Sequence, residues 1–110
     1  MTVQQLQSKL DLETIVMPEP EKETDGVYAG DLLSWVMGRA EAGNIWVTIM
    51  TNINVLAVAS LLDLSTVILA ENSEFNEDFL KIANEKEINV LRSSKTIYEI
   101  CVELNKLDNE

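Results

Sequence analysis

The chain of 110 residues predicts an α/β fold, a three-layer sandwich around a mostly parallel sheet of about four to five short strands. Three observations predict it. The stretch Asn44 to Ala70, NIWVTIMTNINVLAVASLLDLSTVILA, contains two apolar runs, Ile45 to Met50 and Thr66 to Ala70, and each is apolar at both alternating positions. That is the pattern of a strand covered by helices on both faces. The segment between the runs has helical spacing and is too long for a hairpin, so the three pieces read as a right-handed parallel βαβ unit. From Ile45 to Leu107 strand-like and helix-like segments then keep alternating, which extends the parallel sheet.

Ahead of that unit, Thr2 and Gln5 match a capping box, and Val3, Leu6 and Leu10 share a helical face, so a short amphipathic helix opens the chain. Leu12 to Met17 reads as a strand. Pro18 to Asp25, PEPEKETD, has nothing apolar to bury and two prolines to interrupt pairing, which predicts an exposed, mobile loop. Val27 to Ala29 is a short strand, and Gly30-Asp31 supplies a turn and an N-cap for a helix from Leu32 to Ala40. Its predicted core face is Leu32, Leu33, Val36, Met37 and Ala40, with Gly43 as the flexible position beyond it. After Ala70 comes a polar loop, Glu71 to Ser73. A helix from Asn76 to Glu87 follows with Phe79, Ile82 and Ala83 on its stripe and acids at its start. Ile88 to Leu91 is another strand. Thr96 and Glu99 repeat the capping box before Ile97, Ile100, Cys101 and Leu104, which recur at helical spacing. Strand order is not readable from such patterns.

Length and composition narrow the function. Residues 1–110 fit a single domain, 46% of them hydrophobic. A net charge of −11 opposes nucleic acid and anionic membranes. The first ten residues lack the features of a signal peptide and no apolar run approaches a membrane span, so the expected location is the cytoplasm. With one cysteine and no histidine, no internal disulfide forms and no metal site is expected. There is no glycine-rich nucleotide loop of either common kind and no Ser/His or Cys/His pair, so no catalytic residue and no cofactor is assigned.

Ligands of parallel sheets gather beyond the carboxyl ends of the strands, where helix N-termini present unpaired N–H groups. The candidate ligand-binding residues are therefore Asp31, Thr51, Asn52, Asn54, Arg92, Ser93 and Ser94. Arg92 is one of two arginines and stands among hydroxyls, which suits a small anionic or nucleoside-like ligand. Helix capping alone also explains Asp31, Asn52 and Ser94. Cys101 lies on an apolar stripe and reads as a core residue; Glu71, Glu74, Glu77 and Asp78 read as solvated surface. Trp35 and Trp46 fit either the core or a subunit contact.

The helix after Gly30-Asp31, Gly43-Asn44 before the central strand, and the later order of strand, acidic helix, Ile88-Asn89-Val90-Leu91 and final helix are together similar to the DRTGG domain. That family is a small α/β module related in fold to the N-terminal domains of HPr kinase/phosphorylase and of Mur ligases, and the resemblance spans nearly the whole chain. Thr51-Asn52 stands where the family has Asp-Arg, and Glu71-Asn72 where it has a glycine pair. The resemblance implies an HPr kinase N-domain-like fold and a regulatory role like that of modules found beside CBS domains or on phosphotransacetylases and ATP-using amidases. Stand-alone chains similar to this one often carry the label of HPr serine kinase, but that activity resides in a P-loop domain whose motif this chain lacks. The resulting expectation is a non-catalytic regulatory or interaction module, a homodimer that senses a small ligand or docks onto a partner enzyme or signalling protein. The other readings are a subunit that completes a partner's composite enzyme site, or a purely structural subunit.

Overall fold

The computed structural model describes residues 1 to 109. Its elements are α1 (Val3–Leu10), β1 (Glu13–Val16), β2 (Val27–Ala29), α2 (Leu33–Arg39), β3 (Ile45–Thr48), α3 (Ile53–Leu61), β4 (Thr66–Leu69), α4 (Glu77–Glu85), β5 (Val90–Arg92) and α5 (Ile97–Asp108). Both expected capping boxes form, Thr2 with Gln5 ahead of α1 and Thr96 with Glu99 ahead of α5. Asn52 and Asn76 cap α3 and α4 through their side-chain oxygens. The five strands lie in the order β1-β5-β4-β3-β2. Strands β2 to β5 are mutually parallel, and β1 runs antiparallel along β5 with Glu13 opposite Arg92.

Alternation along the strands decides the layers. Trp46, Val67, Leu69 and Val90 point to one face, where they pack with Val36 of α2, Val55, Leu56 and Ala59 of α3, and Phe79 and Ala83 of α4. Ile45, Val47, Ile68 and Leu91 point to the other, against Val3 and Leu6 of α1 and Ile100 and Leu104 of α5. Every residue of β3 and β4 is buried, as their two-sided apolar pattern requires. The three-layer α/β sandwich is thus the observed fold. Trp46 is fully buried, and its indole N–H donates to the Gly30 carbonyl at 2.9 Å. Gly43 follows α2 in the left-handed region, φ +82°, where a Cβ would press on Asp25.

Several boundaries and orientations differ from expectation. β3 ends at Thr48, leaving Ile49 exposed, and β5 is shifted to Val90–Arg92, so Arg92 belongs to the strand rather than to the turn after it. The residue at the N-cap of α2 is Leu32, which makes no side-chain cap bond. Of the five apolar residues assigned to the core face of α2, Val36 and Ala40 are buried and Leu33 is half-buried, whereas Leu32 and Met37 are 57% and 47% exposed. The cause is position: α2 covers the β2 end of the sheet with α3 as its main helical neighbour, so a narrower stripe finds a partner. The Pro18 to Asp25 loop, expected to run free, is fastened at both ends. Val3 N–H and Gln4 N–H donate to Lys22 and Pro20, while buried Asn89 exchanges hydrogen bonds with the backbone of Glu19.

Candidate functional site

Because β2 to β5 are parallel, their carboxyl ends line a single edge of the sheet, and antiparallel β1 brings Glu13 to the same edge. The chains leaving β2, β3 and β4 turn to the face of α2, α3 and α4; the chain leaving β5 turns to the opposite face and becomes α5. The split between the β4 and β5 exits is the topological switch point, the usual place for a ligand in an open parallel sheet.

Hydrogen bonds narrow that split. Ser93 N–H donates to the Leu69 carbonyl, Asn72 N–H to that of Ser93 and Glu71 N–H to that of Lys95, each at 2.9 Å. To make these bonds Glu71 and Asn72 both adopt the left-handed conformation, φ +55° and +50°. Both are non-glycine residues, which pay a conformational penalty for that backbone shape. The open space lies towards β1. A groove of about 480 Å³ opens there, lined by Leu10, Asp11, Glu13, Asn72 and the run Arg92 to Lys95.

Arg92 is held on three sides. Its Nε and Nη2 donate to the two carboxylate oxygens of Glu13 at 2.9 and 3.0 Å, and Nη1 donates to the Ser73 carbonyl at 3.2 Å. Its guanidinium carbon also sits 5.1 Å from the Phe75 ring centre. The hydrogen bond from Arg92 holds the Glu13 carboxyl below its ordinary range, and the bond to Glu13 raises the already high pKa of Arg92, with Glu74 adding a smaller charge effect. Two of the five guanidinium N–H donors remain for a groove ligand. Lys95 at the rim pairs with Glu103, which raises its pKa. Neither cation is an unopposed charge.

The structure gathers Arg92, Ser93 and Ser94 into this groove and places Asp31, Thr51, Asn52 and Asn54 elsewhere on the same edge, at the ends of β2 and β3. β3 lies two strands from β5, about 10 Å away at ordinary strand spacing. Asp31 braces the β3 exit, accepting from Thr48 Oγ1 at 2.6 Å and from Ile49 N–H at 3.0 Å, and does not cap a helix. Asn52 Oδ1 accepts from Asn54 N–H at 3.0 Å as the α3 cap. Ser94 is not a cap, since Thr96 performs that role for α5, and Ser93 Oγ accepts from Lys95 N–H. Glu13, Asp11 and Lys95 were missed by sequence reasoning. The pairing of β1 with β5, which puts the first two in place, leaves no local signal; Lys95 adjoins Ser94 and was within reach. Cys101 is half-buried against the second core, which raises its pKa. Among the described residues no three Cys, Asp or Glu side chains come together to hold a metal ion, and no helix is long and apolar enough to cross a membrane.

No family model matches the sequence, and no curated protein matches it. Among solved structures, the chain is similar to the crystal structure of the CBS and DRTGG domains of the regulatory region of Clostridium perfringens pyrophosphatase, complexed with the activator diadenosine tetraphosphate. The TM-score is 0.68 at 14% sequence identity, covering 89% of this chain and 43% of that one. At that identity the likeness is one of fold. The chain spans less than half the length of the structure it matches, and its five-stranded sheet has the architecture expected of a DRTGG-like domain.

Proposed function

We propose that this chain is a non-catalytic regulatory module that binds a nucleoside-like or singly charged small molecule in the groove beside β5 and reports its occupancy to a partner enzyme or signalling protein. The observation that carries this reading is an open groove beside the β5 exit, next to the switch point and displaced from it towards β1, lined by Asn72, Arg92, Ser93 and Ser94 among others. The C. perfringens structure, a regulatory region of CBS and DRTGG domains that together bind a nucleotide activator, supports a regulatory setting for a module of this fold and makes nucleotides the first ligands to try. Charge selects within that type. Glu13 neutralises Arg92, Glu103 opposes Lys95 and Asp11 adds a negative charge, so a polyphosphate meets little compensation here. Asp31, Thr51, Asn52 and Asn54 join the site only for a ligand long enough to cross from β5 to β3.

Thermal unfolding with adenosine, AMP, ATP and diadenosine tetraphosphate tests this. A ligand held at one hundred times its Kd stabilises by about 2.7 kcal/mol, a shift of roughly 10 °C. The expected order is adenosine and AMP above ATP, with the response abolished by Ser94→Asp, which puts a carboxylate into the groove. A stronger response to the polyphosphates than to AMP contradicts the charge selection. Equal shifts in the Ser94→Asp variant move the site elsewhere.

A further inference from the structure

β2 ends the strand order on the side away from the groove, and among the described residues no strand pairs with its outer edge. Its pairing with β3 runs through Gly26, whose carbonyl accepts from Ile45 N–H at 2.9 Å, and Gly30, whose N–H donates to the Val47 carbonyl at 3.2 Å. Alternate residues of a strand face the same neighbour, so Tyr28 completes that series while Val27 and Ala29 turn their N–H and carbonyl groups outward. Both residues are exposed, Val27 to 38%. The length of chain just before β2 is taken by the start of the protein: Thr24 N–H donates to the Met1 carbonyl at 2.8 Å, and Thr2 pairs antiparallel with Glu23. β2 itself stays open. A cavity of about 170 Å³ lies beside this edge on the α5 face. Buried Leu6, Ile45 and Leu104 form its floor, Val27 a wall, and exposed Asp25 and Asp108 its rim. Among the described residues neither aspartate joins an ion pair, and no lysine or arginine lines the cavity.

We propose that an extended segment of a partner protein pairs with β2 as a further strand of the sheet and lays one lysine or arginine side chain in this cavity. Strand addition takes its affinity from main-chain hydrogen bonds and its specificity from pockets that receive alternate side chains. Both parts are present here. Val27 is in register with Ile45 and Ala29 with Val47, so their side chains, and those of an added strand aligned with them, stand on the α5 face where the cavity opens. The chemistry of the cavity selects the residue. The aliphatic stem of a basic side chain covers the apolar floor, while its charged head stays at the rim, in water and beside Asp25 and Asp108. Charge around the edge agrees. Glu23 and Asp25 precede β2, Asp31 follows it, and a net charge of −11 attracts a cationic segment while repelling a second copy of this chain. A strand of three residues offers few main-chain bonds, so the contact is a weak one. It lies at the other end of the sheet from the groove beside β5, needs no ligand there, and stands or falls independently of that site.

The probe is a peptide capped at both ends, Thr-Val-Thr-Lys-Thr-Val-Thr, whose lysine and valines share one face of an extended chain. Amide chemical shifts of the isotope-labelled protein are followed as the peptide is added to a few millimolar, the weak end of measurable affinity. Saturable shifts are expected at Asp25, Val27, Ala29 and Asp108, with Ser93 to Lys95 unmoved. Norleucine in place of the lysine is expected to weaken binding roughly threefold, the contribution of an exposed ion pair, as is Asp25→Asn combined with Asp108→Asn. Methylating alternate backbone nitrogens of the peptide separates strand addition from charge attraction alone. Of the two alternate sets, methylation of the one that faces β2 is expected to abolish binding and methylation of the other to leave it intact. The proposal is overturned by the absence of saturable shifts at Val27 and Ala29, by equal binding of the two methylated peptides, or by a norleucine peptide that binds as tightly as the lysine one. Shifts at the same residues that grow with protein concentration in the absence of peptide identify a second copy as the occupant and overturn it too.

Discussion

Asn89 is the sharpest test of how the acidic loop is held. It is 2% exposed, with Oδ1 accepting from Glu19 N–H at 3.0 Å and Nδ2 donating to the carbonyls of Glu19 at 2.8 Å and Ser65 at 3.0 Å. Asn89→Ala removes all three bonds. The Glu19 groups are part-buried and recover water, so each loss costs about 1 kcal/mol; the buried Ser65 carbonyl is left without this donor, which adds about 1–2 kcal/mol. The total, about 3–4 kcal/mol, is a large share of the stability of a domain this size and lowers the thermal midpoint by roughly 10–15 °C. Urea unfolding monitored by Trp46 is the assay, together with amide exchange of residues 19 to 24. The midpoint is expected to fall with little change in slope, and the loop amides to exchange faster than the rest of the sheet edge. Asn89→Asp keeps the shape but turns a donor into a carboxylate facing two carbonyls, so it is expected to be worse at pH 7 than at pH 4. A loss below about 1 kcal/mol for Asn89→Ala would show that the main-chain bonds to Lys22 and Pro20 hold the loop without it.

Three further outcomes are expected. The hydrogen bond from Arg92 depresses the folded-state pKa of Glu13 below the ordinary carboxylate range, so the stability it contributes is fully present above that range and is lost as pH falls through the depressed value. Glu13→Gln should therefore narrow the gap to wild type on acidification; the carboxylate is half exposed, so the loss at pH 7 stays below about 1 kcal/mol and shrinks in salt, and a pH-independent gap contradicts the pairing. Glu71→Gly and Asn72→Gly relieve left-handed residues but loosen the unfolded chain, so each is expected to be neutral or stabilising by up to about 1 kcal/mol, whereas β-branched Glu71→Val should cost more than that; chemical denaturation separates the two. The purified protein is expected neither to phosphorylate HPr nor to hydrolyse ATP, since it lacks the glycine-rich phosphate loop and its lysine, and stoichiometric transfer of labelled phosphate to HPr would end the non-catalytic reading.

The parts of this fold legible in the sequence are those whose signals are local. Capping pairs three residues apart, such as Thr2 with Gln5 and Thr96 with Glu99, announce helices wherever they occur, and runs such as Ile45 to Val47 and Val67 to Ala70 declare strands buried on both faces. What depends on non-local pairing was not legible. Nothing near Glu13 indicates that it lies opposite Arg92, 79 residues away, yet that pairing determines the charge of the groove and the donors left to a ligand. Leu32 and Met37 carry the same apolar character as Val36, and only the place of α2 at the end of the sheet leaves the first two in solvent. Three of the seven candidate residues meet in one groove. Arg92, Ser93 and Ser94 converge because they are consecutive in the chain, whereas Asp31, Thr51, Asn52 and Asn54 share the edge without sharing the groove.

The central claim, a ligand site in the groove beside β5, is tested most directly by mapping amide chemical shifts during titration with the nucleoside or nucleotide that most raises the thermal midpoint. Saturable shifts centred on Asn72 and on Ser93 to Lys95, extending into Asp11 and Glu13 and weakened by Arg92→Ala, are the predicted result. Saturable shifts centred on the Pro18 to Asp25 loop and indifferent to Arg92→Ala would contradict it.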